Sequence, residues 1–295
     1  MSFSSKLKAE LSNLKLSECC RFAELCGMMM FGQSFSQNKI SILSDTKDVA
    51  SNFGYLLKKC FSIKAQYSSS EGKRPMYKAF VPSPEDRKTI IDYFTNNFFA
   101  DTTLKKDCCR DAFIRGAFLV CGQIQNPEVE HRAEFRIKNT ENTEYLYNIL
   151  IERGIILNKS TRQGADLLYT KKSETTQDLV TAMGAFATTL ELIDVKMIKE
   201  LRNDINRRNN AELSNTSRVI EASIIQRNAI KYLIDNEKFE ILPDDLKEIA
   251  LLRMANPEAS LTELSRLSSV SITRSGLNHR LKKIIDIVEE LKEKR

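Results

Sequence analysis

A chain of 295 residues exceeds the usual size of a single domain, so its length predicts two domains. The composition, with 42% hydrophobic and 28% charged residues and few Gly and Pro, is typical of a helix-rich globular protein and excludes a largely disordered or fibrous one. The net charge of +6 is too small to establish nucleic-acid binding, so the position of the charge along the chain has to decide.

Targeting signals and cysteine usage bear on the compartment. The sequence starts on MSFSSK without an apolar signal core, and it contains no stretch of about eighteen uncharged apolar residues to cross a bilayer. Seven scattered cysteines, an odd number, fit a reducing compartment better than a secreted disulfide framework. We therefore expect a cytoplasmic protein with free thiols and no membrane partner.

An internal repeat organises the N-terminal part of the chain. CCRFAELCG at 19–27 and CCRDAFIRG at 108–116 share Cys-Cys-Arg, an Ala and a Gly at the same offsets, 89 residues apart. Each copy opens an apolar helical stretch, followed by alternating apolar residues, a second helical pattern, two short strand candidates and a further helix. The sequence therefore predicts an α+β domain of two αββαββα repeats, at about 15–100 and 104–190.

The two repeated helices are expected to pack against each other at the axis of pseudo-symmetry. Gly27 and Gly116 occupy equivalent positions and would allow the two backbones to approach closely, since glycine without that role only weakens a helix. The run Met28–Met30 is then interpreted as core packing rather than as a set of ligands.

Two pairs of adjacent cysteines, Cys19–Cys20 and Cys108–Cys109, invite a metal or redox interpretation. Adjacent thiols lack the usual ligand spacing, and only His131 and His279 could assist them. We interpret the pairs as buried cysteines at helix starts and predict neither a metal nor a cofactor. The sequence has no Walker-type loop and no triad partner beside His279, so no catalytic residue is assigned.

The C-terminal segment has the pattern of three short helices. Pro243 fits the first turn of a helix that stops before Pro257. Ser260–Glu263 reads as a capping box that starts a second helix. Ser268–Ser271 interrupts the helical period, and a third helix begins near Thr273, which is the pattern of a helix-turn-helix. The second helix would place three leucines on one face: Leu261, Leu264 and Leu267.

The third helix of this segment separates an apolar face from a cationic one. From Arg274 to Lys283 there are four basic residues and no acidic one, whereas Asp244 to Glu263 holds five acidic and two basic residues. A helix fits the major groove, where Lys and Arg bind phosphates and Asn or Arg pairs with base edges. The apolar face comprises Leu277, Leu281, Ile284, Ile285 and Val288. We predict DNA contacts from Ser271, Thr273, Arg274, Ser275, Asn278, His279, Arg280, Lys282 and Lys283.

The alternative interpretation of that helix is a solvated helix at the end of a bundle, because runs of charge usually mark exposure alone. A second polar stretch, RNDINRRNN at 202–210, offers secondary DNA contacts from Arg202, Asn206, Arg207 and Arg208. This stretch could equally be a polar helix between domains, in which Asp204 pairs with Arg208 one turn later.

These motifs resemble the WhiA family of bacterial regulators over nearly the whole chain, from SFSSKLKAEL through both CCR motifs, RNDINRRNN, NPEASLTEL and SGLNHRLKK. The resemblance implies that NPEASLTEL and SGLNHRL form the helix-turn-helix and that RNDINRR is an interdomain signature. The chain departs from the family pattern at 209–213, where an apolar residue and a Cys-Glu-Thr run are usual. The resemblance also implies a LAGLIDADG-like endonuclease fold over residues 1 to about 195, with motif helices at 25–33 and 114–122.

Active relatives of that fold bind their catalytic metal through an acidic residue near the end of each motif helix. Here those positions hold Gly32 and Cys121, and neither supplies the oxygen ligand that Mg²⁺ requires. No Asp or Glu lies within 28–36 or 117–125 to replace them. We therefore predict that the chain is not an enzyme and has no nuclease activity.

Basic residues also concentrate in the predicted strands. Four segments together contain twelve Lys or Arg and five Asp or Glu: 33–43, 62–82, 123–139 and 155–172. A DNA-binding sheet would show this excess, but surface strands commonly carry Lys to prevent edge pairing, and a protein partner could use the same surface. These three interpretations remain open.

The leading hypothesis is a sequence-specific transcriptional regulator at the nucleoid whose partner is double-stranded DNA. It would have a repeat domain over 1–195, a helical linker over 196–240 and an all-α helix-turn-helix domain over 241–295. The family resemblance implies a role in cell division, chromosome segregation or sporulation. The alternative is a protein-interaction scaffold at the nucleoid with incidental DNA affinity, whose N-terminal domain would bind a protein partner.

Overall fold

The computed structural model describes residues 2–70, 72, 75–97 and 104–293, with the backbone alone for residues 96 and 97. Contacts between residues divide the chain into unit 1, residues 1–199, and unit 2, residues 200–295. Within the described ranges, no helix has the combination of length and apolar character needed to cross a membrane.

Unit 1 begins with helix α1 (Phe3–Ser12) and continues into a first αββαββα repeat. Its antiparallel sheet has the strand order β1-β2-β4-β3, with Ile42 of β2 opposite Ala79 of β4. The elements of this repeat are α2 (Glu18–Met30), β1 (Ser34–Ser36), β2 (Lys39–Ser44), α3 (Lys47–Phe61), β3 (Gln66–Ser69), β4 (Tyr77–Phe80) and α4 (Pro84–Asn97).

A second repeat has the same order of elements and the equivalent strand order, β5-β6-β8-β7. Its elements are α5 (Asp107–Cys121), β5 (Gly122–Ile124), β6 (Ala133–Ile137), α6 (Thr140–Glu152), β7 (Asn158–Arg162), β8 (Ala165–Thr170) and α7 (Ser173–Ala182). The duplicated αββαββα architecture predicted from the sequence is confirmed.

Helices α2 and α5, the two repeated helices, pack in direct backbone contact. A Cβ atom at Gly27 would lie 2.3 Å from the carbonyl oxygen of Phe113, and one at Gly116 would lie 2.1 Å from that of Glu24. Only glycine allows this approach, because any side chain at either position would collide with the facing backbone. The predicted role of both glycines is confirmed, and we call this contact the α2–α5 seam.

Apolar residues from both repeats form one continuous core around the seam. Met28 and Met29 are fully buried in this core, as predicted, together with Phe53, Phe113 and Phe135. Successive side chains of a strand point to opposite faces, so Ile40 and Ile42 lie on the same face of β2 and are buried in the core. This face of the sheet therefore packs against the helices. The sheets and helices of both repeats are therefore layers around a shared interior.

Helix α8 (Phe186–Asp235) is 50 residues long and contributes to both units. Every residue from 201 to 218 is exposed, which agrees with the absence of an apolar period in RNDINRRNN. The linker and domain boundaries proposed from the sequence lie inside or beside this helix and stay predictions.

Unit 2 packs three further helices on the C-terminal end of α8: α9 (Asp244–Ala255), α10 (Leu261–Leu267) and α11 (Arg274–Glu293), preceded by a 3₁₀ turn (Phe239–Ile241). The core contains Leu264 of α10 and the predicted stripe of α11, of which Ile285 is only half-buried. Of the three leucines that the sequence places on one face of α10, Leu264 is buried, whereas Leu267 at the end of the helix is 56% exposed.

Candidate nucleic-acid interface

Helix α11 is held with one face inward by its leucine and isoleucine stripe. Leu277, Leu281, Ile284 and Val288 are buried in the core of unit 2. Thr273 precedes the helix, and its Oγ1 accepts a hydrogen bond from the backbone N–H of Gly276 at 3.2 Å. The stripe fixes the rotation of the helix and the cap fixes its start, so the opposite face is presented to solvent.

The corner between α9 and α10 is fixed by polar groups. The Ser260 hydroxyl accepts from the N–H of Glu263 at 3.3 Å, and the Glu263 carboxylate accepts from the N–H of Ser260 at 2.7 Å, which confirms the predicted capping box. Hydrogen bonding to the Ser260 backbone lowers the pKa of Glu263, which keeps the carboxylate ionised in this role.

A buried arginine, which the sequence reasoning missed, completes this corner. Arg253 of α9 donates to the carbonyl of Ala259 at 2.7 Å, and Ser223 of α8 donates to that of Pro257 at 2.5 Å. Burial lowers the pKa of the Arg253 guanidinium, since desolvation disfavours its charge. Arg253 follows Ile249 by one helical turn, so its position on the apolar face was readable from the period.

The residues predicted to bind DNA lie together on the outer face and at the start of α11. Those with exposed side chains are Ser271, Thr273, Arg274, Ser275, Asn278, His279, Lys282 and Lys283. Arg280 is half-buried, and its Nε lies 3.5 Å from a carboxylate oxygen of Asp245 on α9. Arg280 thus has an intramolecular partner that the sequence did not indicate, and a contact from it to DNA stays a prediction.

Three of the cations predicted to contact DNA form no ion pair within the described part of the chain. Arg274, Lys282 and Lys283 have no carboxylate within salt-bridge distance among the described residues. Asp244 of α9 lies 3.8 Å from the amine of Lys247, and Asp245 of α9 lies beside Arg280 of α11. Arg274 at the start of α11 and Lys282 and Lys283 about two turns later are therefore available to an external anion such as a phosphate.

The second predicted contact surface lies on the exposed middle of α8. All four residues named for it, Arg202, Asn206, Arg207 and Arg208, are exposed. Arg208 pairs with Asp204 one turn earlier at 2.9 Å, as the alternative interpretation expected. Exposure permits nucleic-acid contact here, but the pairing removes one of its cations from the available charge.

The C-terminal end of the α2–α5 seam holds Gly32 and Cys121, the positions where the family resemblance placed the metal-binding acids of active relatives. A cavity of about 720 Å³ opens here, lined by Gly32 and Cys121 among others. Desolvation raises the pKa of the Cys121 thiol to about 12, so the group stays protonated. The carboxylate that lines this cavity, Glu134, pairs with Arg132 at 2.7 Å. The described part of the cavity thus lacks a pair of free oxygen ligands for a hard cation.

The basic excess of the predicted strand segments is partly neutralised. Lys159 lies 2.6 Å from a carboxylate oxygen of Glu144, and Lys171 lies 3.3 Å from one of Glu130. Arg136, on β6, donates to the side chain of Gln163 instead. Three charged residues of segment 62–82 fall outside the described residues: Glu71, Lys73 and Arg74. The sheet therefore carries less available charge than its residue count implied.

The paired cysteines lie at the opposite end of the seam. Cys20 and Cys109 are buried, as predicted, but Cys19 and Cys108 are exposed, so the expectation of buried pairs was wrong for these two. The four sulfur atoms lie within 4.8 Å of one another, because pseudo-symmetry brings the first turns of α2 and α5 together. Adjacent cysteines within one pair lack the usual ligand spacing, but the fold brings the two pairs together, which their spacing along the chain did not indicate.

Two protein-family models match the chain. The model of the WhiA C-terminal HTH domain matches residues 205–288, beginning within α8. The model of the WhiA LAGLIDADG-like domain matches residues 110–202. The two matches together cover the second repeat, the long helix and the helix-turn-helix.

Protein relatives match along the full chain. A probable cell division protein WhiA from Ruminiclostridium cellulolyticum is 33% identical, over 99% of this chain and 98% of the relative. Proteins with the same description from Caldicellulosiruptor saccharolyticus and Bacillus cereus strain AH187 are 32% and 31% identical, again over 99% of this chain.

Solved structures share the fold. The crystal structure of full-length WhiA from Thermotoga maritima has a TM-score of 0.63 and 23% identity, covering 98% of this chain and 99% of that one. The N-terminal LAGLIDADG domain of WhiA has a TM-score of 0.51 and 18% identity, covering 62% of this chain and 92% of that one. At these identities the likenesses establish the architecture, a LAGLIDADG-like domain followed by a helix-turn-helix.

Proposed function

The chain belongs to the WhiA family, and from that premise we propose that it is a sequence-specific DNA-binding transcriptional regulator that reads a major groove with the exposed face of α11. The observation that carries the proposal is the exposure of Arg274, Lys282 and Lys283 along α11 without an ion-pair partner among the described residues, with Asn278 exposed between them in the sequence. Phosphate contacts would set position and affinity, and Asn278 would read a base edge.

The biological setting of this proposal comes from the relatives, whose descriptions name cell division. We propose that this chain acts on genes of cell division, with chromosome segregation and sporulation as the further processes that the family resemblance implied. Its working location would be the nucleoid, because the proposed ligand is chromosomal DNA.

For the LAGLIDADG-like domain we propose a binding role without nuclease activity. Gly32 and Cys121 support this role, because neither offers the hard oxygen ligand that Mg²⁺-assisted phosphodiester cleavage needs. Arg136 and Lys138 line the cavity at that end of the seam and are available for an anionic surface, whether DNA or a protein partner. Purified chain incubated with supercoiled plasmid and Mg²⁺ should leave the plasmid intact, and nicking would contradict this assignment.

The experiment that tests the regulator proposal is genome-wide crosslinking of the wild-type chain beside a variant in which Arg274, Lys282 and Lys283 are changed to Ala. A regulator should give discrete peaks that share a sequence motif, and the variant should lose them. A matched control changes Lys159, which is ion-paired with Glu144, and should keep the peaks. Diffuse signal in the wild-type chain would favour the scaffold alternative, in which DNA affinity is incidental.

A further inference from the structure

Four thiols converge at a place that the proposed DNA-binding function does not use. Cys19 and Cys20 stand at the start of α2, and Cys108 and Cys109 stand at the equivalent start of α5. All four sulfur atoms lie within 4.8 Å of one another. In a tetrahedral zinc site with Zn–S bonds of about 2.3 Å, neighbouring sulfurs are about 3.8 Å apart. The thiols therefore stand within about 1 Å of the spacing that one zinc ion requires.

The surroundings of the cluster suit a structural metal ion. Beneath the sulfurs, Cys20 and Cys109 belong to a small buried group with Ala23 and Ala112, which closes the inner side against water. The Sγ of Cys20 donates to the carbonyl of Cys108 at 3.4 Å, which places a sulfur of one repeat against the backbone of the other. A closed, four-sulfur arrangement leaves no open coordination position, as is typical of structural rather than catalytic zinc.

Positive groups lie beside the sulfurs and would offset part of the charge of a metal–thiolate site. Zn²⁺ with four thiolates carries a net charge of −2, and both helix N-termini present backbone N–H groups and the positive end of a helix dipole to it. The Ser17 hydroxyl lies 3.3 Å from the Cys19 sulfur, within hydrogen-bond distance. Lys106 occupies the N-cap position of α5 and adds positive charge beside the cluster. The metal ion itself displaces the thiol protons when it binds, because a coordinating thiol is deprotonated by the charge of the ion.

We propose that Cys19, Cys20, Cys108 and Cys109 bind one zinc ion, which ties the two repeats together at the N-terminal end of the α2–α5 seam. Soft thiolate ligands select zinc over the hard cations that a LAGLIDADG nuclease uses. The ion stabilises unit 1 and takes no part in chemistry. The proposal is independent of DNA binding, because the four cysteines belong to unit 1 whereas α11 belongs to unit 2.

The first test is the metal content of the untagged full-length chain, purified under reducing conditions without chelator. Elemental analysis should find one zinc per chain, and reconstitution of the stripped chain with Co²⁺ should give thiolate-to-metal charge-transfer and tetrahedral d–d bands. A chain without stoichiometric zinc and without a cobalt–thiolate spectrum would overturn the proposal. So would iron with cluster absorption in place of zinc, or disulfides among these cysteines in the mass of the alkylated chain.

Variants then locate the site. Cys19→Ser and Cys108→Ser alter exposed positions, so folding is expected to survive, and zinc affinity measured by competition with a chromophoric chelator should fall by more than about tenfold. Cys60→Ser, a half-buried cysteine outside the cluster, is the matched control and should retain wild-type affinity. If Cys19→Ser and Cys108→Ser kept the zinc affinity of the control Cys60→Ser, the assignment of these cysteines as ligands would be contradicted. The double variant Cys20→Ser/Cys109→Ser should bind no zinc and unfold at lower temperature.

Discussion

The two units of the molecule differ in where they place the charges that matter most to each. Unit 1 buries an ion pair in its core: Glu24 and Arg115 pair at 2.5 Å across the α2–α5 seam. Unit 2 leaves Lys282 and Lys283 of α11 without a carboxylate partner among the described residues. The strand segments also hold exposed cations without a carboxylate within salt-bridge distance among the described residues, including Arg136 and Lys138, so charge alone does not decide between the two surfaces. The cations of α11 differ in their setting, because they lie on a helix of a helix-turn-helix, whose geometry fits a major groove.

The largest expected effect is the loss of the buried pair in unit 1. Arg115→Met leaves the Glu24 carboxylate buried without its cation, and we expect a loss of about 3–5 kcal/mol of stability in unit 1. Arg115 also donates to the carbonyl of Met183 at 2.8 Å, so that acceptor loses its partner too. Hydrogen exchange of α2 and α5 amides, followed by mass spectrometry, measures the effect.

A double variant and the pH dependence separate the charge effect from a packing effect. Glu24→Leu combined with Arg115→Met removes both charges and should be more stable than Arg115→Met alone, because no unpaired charge remains buried. Burial already raises the pKa of Glu24 despite the neighbouring Arg115. In Arg115→Met the folded-state pKa should lie further above its unfolded value, so the variant should lose stability relative to the wild type as pH rises above the unfolded-state pKa of Glu, about 4.3. A loss independent of pH would indicate packing alone.

The second prediction concerns the unpaired cations of α11. Changing Lys282 and Lys283 to Ala should reduce the slope of log affinity for duplex DNA against log salt by about 1.8, because each phosphate contact contributes about 0.9. Over a tenfold range of salt this amounts to about a sixtyfold difference, which fluorescence anisotropy resolves. The control is Lys159→Ala, whose ammonium is already paired, and its slope should match the wild type. An unchanged slope in the double variant would show that α11 does not dock through these lysines.

The sequence could predict those features of the fold that local patterns determine. The duplicated αββαββα order followed from hydrophobic period and from the repeated CCR motif, because local patterns determine element type. The approach of α2 to α5 followed from Gly27 and Gly116, since a glycine at equivalent positions of a repeat has few other uses. The capping box at Ser260 was likewise local, so the start of α10 was correct.

Partners across the fold could not be predicted in this way. The pairing of Arg280 with Asp245 joins residues of different helices, and no local pattern encodes it. The four-sulfur cluster was accessible in principle: the cysteine pairs occupy the same offset in both repeats, and the expected axis ran between the helices that begin with them. Combining those two inferences places Cys20 beside Cys108, whereas a rule about spacing along the chain examines one pair at a time.

The third prediction tests base readout separately from phosphate binding. Asn278→Ala removes an exposed side chain that can pair bidentately with adenine, so discrimination against a mismatched site should fall by about 1–3 kcal/mol. The salt slope should stay at the wild-type value, because Asn278 carries no charge. Competition between the motif found by crosslinking and a scrambled duplex measures the discrimination. Wild-type discrimination in this variant would exclude Asn278 from base contact and leave α11 with a positioning role.

The smallest effect is expected at the capping box that holds the corner of the helix-turn-helix. Ser260→Ala removes the acceptor for the N–H of Glu263, which costs about 1 kcal/mol and should speed exchange of the α10 amides by about fivefold. Thr262→Ala, an exposed neighbour in the same helix, is the matched control and should leave exchange unchanged. Because α10 has seven residues, it relies on its cap and on Leu264, so opening of α10 should also loosen its contact with α11. The loss of DNA affinity should therefore not exceed the change in the opening equilibrium of α10, which the amide exchange measures as about fivefold. A larger loss would mean that the Ser260 side chain itself contacts DNA.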